Sequence, residues 1–169
     1  MIDLGEINFS RANLKGINLE RTNLERANLE KIDLTGANLR ETNLEGADLD
    51  WAILVRANLA GTKLDKANLI GANLQEANLF MANLKGANLF MANLQGANLE
   101  GANLEGANLE GANLTEAFNL SIDQLSKVRA LYNVKLDEEF IIQLKEEFAF
   151  LFKSLKQQFL EHQNNILGT

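Results

Sequence analysis

Few residues in this chain combine the residue type and the spacing that catalysis or metal binding needs. His162 is the only histidine, there is no cysteine, and no second base or ligand is placed to work with His162. Acidic side chains recur at regular intervals, as in Glu100, Glu105 and Glu110, instead of converging on one place. Glycine spacing follows a period of five residues and matches no phosphate-binding loop or nucleophile elbow. We therefore predict no enzyme, no metal site and no cofactor.

A five-residue period organises about two-thirds of the chain. Leucine occupies every fifth position from Leu4 to Leu114, 22 times in 23, with Phe9 as the exception. Two places before each lies a small or apolar residue (16 Ala, 4 Ile, 3 Thr). Between them stands Asn 18 times and Asp 3 times, with Ile53 and Lys63 as departures. The apolar spacing of 2, 3, 2, 3 fits neither an amphipathic helix nor a regular strand, and it indicates short extended walls joined by turns.

The spacing of the inward threonines indicates how many walls make one coil. Thr22, Thr42 and Thr62 are twenty residues apart, which is four repeats. A four-walled coil stacks these residues in one column, and we expect their hydroxyls to hydrogen bond to one another there. No wall can bury its apolar pair alone, so the coils must stack into a solenoid. At the spacing of paired strands, roughly 4.8 Å per coil, the stack is roughly 28 Å long.

The tandem A(D/N)LXX pattern, seen as ANLEG, ANLKG and ANLQG, resembles the pentapeptide repeat proteins. The resemblance implies an all-β solenoid, a right-handed quadrilateral β-helix with Leu at its centre. We assign about six coils to residues 1–121 and a helical cap to residues 122–169. Most members of the family have no known activity, they are abundant in cyanobacteria, and a subgroup binds DNA gyrase by imitating DNA.

Helical patterns replace the repeat after residue 121. Ser121 and Gln124 form a capping box that predicts a short helix over 122–131, with Leu125 and Val128 facing the last coil. Asp137 is the expected N-cap of a long amphipathic helix over 138–164, followed by acidic residues that suit its N-terminus.

One stripe of that long helix is strongly apolar and requires a partner surface. Its members are the candidate helix interface: Phe140, Ile141, Leu144, Phe148, Leu151, Phe152, Leu155 and Phe159. Burying five such side chains is worth roughly 8–15 kcal/mol before ordering costs.

Several large apolar residues occupy outward positions of the repeat. We call six of them the contact surface: Trp51, Ile53, Val55, Ile70, Phe90 and Met91. Contiguous exposed apolar surface usually marks a contact site. Two further residues, Phe80 and Met81, should lie on the opposite side of the coil.

Three contacts are compatible with these apolar groups. The long helix can fold back over the contact surface, or it can pair with a second chain; fold-back has the advantage of explaining the contact surface as well. A homodimer can also form through the N-terminal coil, where Ile2, Ile7, Phe9 and Ile17 are bulkier than the usual inward residues.

The charge balance narrows the choice of partner. With a net charge of −7 and no basic aromatic stripe, direct nucleic-acid binding is excluded. A DNA mimic of this length needs about 16 negative charges, but residues 1–121 carry 16 acids and 10 bases, a net of −6. No membrane-spanning run and no targeting segment precede or interrupt the repeat, so we expect a cytoplasmic protein. We predict a non-enzymatic scaffold or binding protein of unknown partner; the alternative is a DNA mimic that binds the type II topoisomerase gyrase.

Overall fold

The computed structural model describes residues 2–154 and residue 157, and its repeat region is a stack of four-walled coils. From Asp3 to Asn98, each residue in the Asn position forms a parallel β-bridge to the residue twenty places later, as in Asn28 to Asp48 and Asp48 to Asn68. The twenty-residue coil predicted from the threonines is therefore confirmed. In the described part of the chain, each wall contributes a single bridge instead of an extended strand.

Backbone hydrogen bonds connect every wall to the coils on both sides. The Leu69 N–H donates to the carbonyl of Asn88 in the following coil (2.8 Å), and the Asn68 N–H donates to that of Ala47 in the preceding one (2.9 Å). Within a coil, the turn after Leu69 closes with a bond from the Ala72 N–H to the Leu69 carbonyl (3.1 Å). A proline on a wall would remove a donor, and the chain contains none.

The core consists almost entirely of the Leu and Ala columns. Leu24 through Leu114 are at most 1% exposed at every central position. Thr22, Thr42 and Thr62 are buried in one column, but the expected bonds between their hydroxyls are not what the structure has. The Thr42 and Thr62 hydroxyls instead donate to the backbone carbonyls of Leu19 and Leu39, both at 2.8 Å.

Asparagine side chains form ladders along the outside of the walls. The Asn43 amide donates to the Asn23 side-chain oxygen at 2.9 Å, and that oxygen also accepts the Glu25 backbone N–H at 3.2 Å. The same double role repeats along the array, so each Asn stabilises both its own turn and the contact between coils.

Ion pairs between coils occupy the turns. Arg21 contacts Glu41 and Arg56 contacts Glu76, each at 2.7 Å, across one coil spacing. The hydrogen bond from the Arg56 guanidinium lowers the pKa of the Glu76 carboxyl below its ordinary value. These side chains are exposed, so each pair is worth little in stability.

The helix α1 (Ile122–Ser126) takes the place of one wall at the end of the stack. The Gln124 side-chain amide donates to the carbonyls of Leu99 and Ala102, at 2.8 and 2.9 Å, which satisfies groups that a further wall would otherwise bond. Ser121 and Gln124 form the capping box. The helix is shorter than the predicted 122–131, because the chain returns to bridge pairing at Ala130 and Lys135. Leu125 and Val128 are buried, as predicted.

The prediction of one continuous helix over 138–164 is wrong within the described residues. The helix α2 (Glu138–Phe148) begins as expected after Asp137, but it ends at Phe148 and a 3₁₀ turn (Ala149–Phe152) follows. The Leu151 carbonyl accepts the backbone N–H of Leu131 (2.6 Å), a donor that would otherwise require another coil. An α-helix continuing past Leu151 would bond that carbonyl to the N–H four residues later, so the tertiary bond competes with such a continuation.

Each turn carries two outward residues, such as Asp50 and Trp51, and the side chain of the second residue lies over the turn of the following coil. The Glu41 and Glu76 side chains lie over Gly61 and Gly96, where an added methyl group would meet their Cγ at 3.5 and 3.6 Å. The approaches are closer at Gly71, where the methyl carbon would lie 2.7 Å from the Trp51 indole, and at Gly101, where it would lie 2.6 Å from Met81 Sδ. A glycine in one coil therefore makes room for a large side chain in the coil before it.

Gly71→Ala is expected to destabilise the protein more than Gly36→Ala. Both glycines have positive φ, +60° and +66°, so alanine costs about 1–2 kcal/mol of backbone strain at either position. At Gly71 the methyl group must also displace the Trp51 indole, whereas nothing lies within 4 Å at Gly36. Urea unfolding measures the stabilities, and the fluorescence of Trp51, the only tryptophan, reports the displacement. Equal losses of stability with unchanged emission would contradict this account of the turns.

Candidate interaction surface

The twenty-residue register gathers the contact surface at one corner of the coil and the wall beside it. Trp51, Gly71 and Met91 occupy the same turn position in three successive coils, each preceded by its turn partner, Asp50, Ile70 or Phe90. Ile53 lies on the adjoining wall, bridged to Asp33 and Asn73, and Val55 follows at the next turn. The structure thus brings all six predicted residues together.

The largest side chains of the contact surface are open to solvent. Trp51 is 55% exposed, Met91 58% and Ile53 38%, while Val55, Ile70 and Phe90 are half-buried. The described part of the C-terminal segment does not cover them. The fold-back of the long helix over this surface is therefore wrong for the described residues.

The backbone at Trp51 and Met91 has the left-handed conformation found at this turn position throughout the repeat, as at Glu41 and Glu76. The φ angles of Trp51 and Met91 are +53° and +57°, a conformation that costs a non-glycine residue about 1–2 kcal/mol. Glycine occupies the equivalent position at Gly71. The exposed apolar side chains, and not the φ angles, therefore distinguish Trp51 and Met91 as candidates for a contact.

A smaller copy of this arrangement lies half a coil away. Phe80 and Met81 occupy the opposite corner, 39% and 60% exposed, and Met81 also has positive φ (+56°). Their neighbours along that corner are Ala60 and Glu100, so no extended apolar surface forms there. The Phe80–Met81 corner therefore provides an internal comparison for the contact surface.

Two outward residues interrupt the Asn ladders, and one of them belongs to the contact surface. Ile53 stands between Asp33 and Asn73, where an Asn would continue the ladder. Lys63 interrupts the ladder of the opposite wall, and the Asn83 amide bonds to Asp65 instead. Ile53 thus replaces a ladder bond with exposed apolar surface.

The candidate helix interface is used inside the chain, at the C-terminal end of the stack. Leu144 and Leu151 are buried, and Phe140, Ile141, Phe148 and Phe152 are half-buried against the same core. Lys145 Nζ lies 5.5 Å from the centre of the Phe152 ring, within reach of a cation–π contact. The remaining two members, Leu155 and Phe159, lie outside the described residues.

The repeat shifts by one residue at residue 118, and the shift exposes an aromatic side chain that we did not predict from the sequence. Phe118 takes the Asn position of its wall and is 51% exposed. Asn119 follows with φ +58°, and its amide donates to the Asn98 side chain at 3.2 Å, which continues the ladder one residue late. In the sequence, the extra residue in AFNLS (residues 117–121) was the signal from which this exposed Phe could have been predicted.

The described residues contain no group of His, Cys, Asp and Glu side chains that could hold a metal ion. His162 lies outside them. In the same part of the chain, no helix combines the length and apolarity that crossing a membrane requires. At the N-terminal coil Ile2 is 65% exposed, and Ile7, Phe9 and Ile17 are half-buried.

Comparison with known proteins confirms the resemblance in the sequence. The family model for pentapeptide repeats matches residues 2–40, 17–54, 52–89 and 92–121, with 8 copies. The chain therefore belongs to the pentapeptide repeat family. Comparison with curated proteins gave no match.

Two solved structures show the same fold. Rfr23, a pentapeptide repeat protein from the cyanobacterium Cyanothece 51142, is 36% identical with a TM-score of 0.61, covering 77% of this chain and 91% of its own. QnrB1, a plasmid-mediated fluoroquinolone resistance protein, is 18% identical with a TM-score of 0.55, covering 85% of this chain and 84% of its own. The second likeness is one of fold alone.

Ile53→Asn and Lys63→Asn are each expected to stabilise the protein by about 1 kcal/mol, because each closes a gap in an amide ladder. Asn73→Ala, which widens the gap beside Ile53, should lower stability by a similar amount. Thermal unfolding of the three variants checks the order. A loss of stability in both Asn variants would show that the ladders contribute nothing between coils.

Proposed function

We propose that this chain is a non-enzymatic interaction module that binds a protein through the contact surface. The observation that carries the proposal is the exposure of Trp51, Met91 and Ile53, three large apolar side chains on one corner and the wall beside it. Trp is among the residues that contribute most to binding energy when a partner desolvates them. The stacked coils below hold the surface rigid, so little ordering cost accompanies binding.

The distribution of the carboxylates supports a protein-binding module better than it supports DNA mimicry. Cross-coil pairs such as Arg21 with Glu41, Arg56 with Glu76 and Lys85 with Glu105 neutralise acidic side chains on different corners of the stack. A mimic of a phosphate backbone requires unpaired negative charge along one continuous face. Binding of gyrase remains the second candidate, supported by the family resemblance and not by this distribution of charge.

Met91→Glu is expected to abolish binding without harming the fold, and Met81→Glu is its matched control. Glutamate already occupies this turn position at Glu41 and Glu76, with φ +56° at both, so unfolding free energies should stay within about 0.5 kcal/mol of the parent. Both methionines follow a phenylalanine and are similarly exposed, 58% and 60%.

Affinity capture from the source organism, read by mass spectrometry, measures the effect. The parent and Met81→Glu should retain the same bound polypeptide, and Met91→Glu should lose it. Equal capture by all three proteins would refute the contact surface as the binding site. Gyrase supercoiling assays separate the second candidate, because inhibition by the parent and by Met91→Glu alike would indicate mimicry.

A further inference from the structure

The first coil of the stack, residues 2–21, has an edge of backbone groups without partners. In the coils that follow, each residue of the Asn position directs both its N–H and its carbonyl to the coil before it. Asn28, for example, donates to the Ile7 carbonyl and accepts the Phe9 N–H, both at 2.8 Å. An edge of unpaired groups is a template for pairing with another chain. The equivalent N–H and carbonyl groups of the first coil bond to none of the described residues, and they belong to Asp3, Asn8, Asn13 and Asn18.

The same end of the stack leaves apolar core uncovered. Ile2 is 65% exposed and Phe9 is half-buried, whereas the inward residues from Leu24 to Leu114 are buried. The opposite end is closed, since α1 and the Leu151 carbonyl occupy the groups to which a further coil would bond. A second copy therefore cannot continue the stack head to tail as one more parallel coil. Two N-terminal ends, in contrast, can meet.

We propose that the first coil pairs with the first coil of a second copy of this chain, about a two-fold axis that lies across the end of the stack. Such an axis reverses the direction in which the chain runs around the coil, so the facing walls are antiparallel. In a hydrogen-bonded antiparallel pair, two opposite residues exchange both of their N–H to carbonyl bonds. Each of the four walls of the first coil presents one residue whose N–H and carbonyl both point outward, as this pairing requires.

The rise of the coil determines where the axis lies. Successive walls are displaced along the stack by a quarter of the coil spacing, roughly 1.2 Å. All four walls can pair at one separation only if the first wall faces the fourth and the second faces the third. Asp3 is then opposite Asn18 of the second copy, and Asn8 is opposite Asn13 of the second copy. The axis passes through the corner at residues 10–11, and each contact occurs twice, as in any isologous dimer.

The inward side chains fit this register. Residues on either side of an antiparallel pair lie opposite each other on the inner face. Phe9, the one central residue that is not Leu, therefore faces Ala12 of the second copy, which is the smallest inward residue of the first coil. The exposed Ile2 faces Leu19 of the second copy. The pairing thus covers the apolar side chains that the first coil leaves open.

An outward side chain fits as well. Asp3 Oδ1 accepts the Gly5 N–H at 3.1 Å and the Asn23 amide at 2.8 Å, and none of the described residues bonds to its Oδ2. Across the junction lies the amide of Asn18 of the second copy, which donates to no group of its own described chain. The free carboxylate oxygen can accept that amide, which continues the side-chain ladder from one copy to the other.

The charged residues at the corners of the first coil are compatible with the junction. Glu6 lies opposite Lys15 of the second copy, an attractive pair, although Lys15 also contacts the following coil. The two Arg11 residues flank the axis, but their side chains are exposed and their repulsion is weak. Glu20 and Arg21 each contact a residue of the following coil. The turn carbonyls face the junction without a donor in either copy, and water can supply one because the corners are at the exterior.

The axis passes through the corner that carries the contact surface. The turn at residues 10–11 and the turn of Trp51 belong to the same corner, two coils apart. The dimer therefore presents both contact surfaces on one side, with the two Trp51 residues roughly 25 Å apart. A partner with two binding sites gains from this spacing, because its second contact becomes intramolecular. This consequence rests on the proposed function, whereas the pairing of the first coils does not.

Asn8→Pro tests the backbone pairing, and Asn8→Ala is its matched control. The Asn8 N–H has no partner within the described chain, so proline removes only the bond to the second copy. Both variants lose the same side-chain bond, from the Ser10 N–H to Asn8 Oδ1 at 2.9 Å. In sedimentation velocity from micromolar to millimolar protein, the parent and Asn8→Ala should form a dimer with a micromolar Kd. Asn8→Pro should stay monomeric with the same circular dichroism spectrum.

Two further variants keep the test decisive if proline disturbs the first coil. Ile2→Ala removes an exposed side chain and should weaken the dimer by about tenfold or more, because the lost burial is counted in both copies. Ser10→Cys, beside the axis, should form a disulfide-linked dimer, whereas Ala60→Cys, at the same turn position of another corner, should not.

The outcomes separate this inference from the proposed function. Met91→Glu should dimerise like the parent, since the contact surface lies outside the junction. A parent that stays monomeric at millimolar concentration would overturn the inference. A dimer that survives both Asn8→Pro and Ile2→Ala would place the interface elsewhere and would overturn it too, as would equal cross-linking of Ser10→Cys and Ala60→Cys.

Discussion

Each wall of this protein has backbone N–H and C=O groups that only the coils before and after it can satisfy. Three residues of extended chain cannot form a strand of their own, and the Ala and Leu side chains cannot form a core within one coil. The bond from Leu69 to Asn88 and the bond from Asn68 to Ala47 therefore have to form together. Every outward feature, including the Asn ladders and the ion pairs, depends on the twenty-residue register that these bonds establish.

This constraint separates the residues that specify the fold from those that are free to specify function. Inward positions accept little besides Leu, Ala, Ile and Thr, because neighbouring coils leave no space between them. Turn positions accept charged, small and aromatic side chains in the same left-handed conformation, as Glu41, Gly71 and Trp51 show. A binding surface can therefore be placed at a corner with little change in the core. We regard the contact surface as such a case.

The sequence predicted the features that follow from the period and missed those that depend on the end of the array. Thr22, Thr42 and Thr62 were sufficient to establish the register, and the register located Trp51 beside Met91. The predicted bonds between threonine hydroxyls were wrong because the Thr42 and Thr62 hydroxyls donate to backbone carbonyls. The bond between the Leu131 N–H and the Leu151 carbonyl could not be predicted, since a helical stripe carries no information about a donor outside the helix. The period of apolar residues describes a single helix, whereas this hydrogen bond joins two separate segments of the chain.

Disulfide cross-linking tests the twenty-residue coil most directly, because the chain has no cysteine of its own. Lys85 and Glu105 form an ion pair of 3.0 Å on adjacent coils, and their Cα atoms should be about 5 Å apart, within the range of a disulfide. The variant Lys85→Cys/Glu105→Cys should oxidise readily in the folded protein, whereas Lys85→Cys/Glu100→Cys, with cysteines fifteen residues apart, should not. Cross-linking of the second pair in preference to the first would contradict the four-walled coil and the surface built on it.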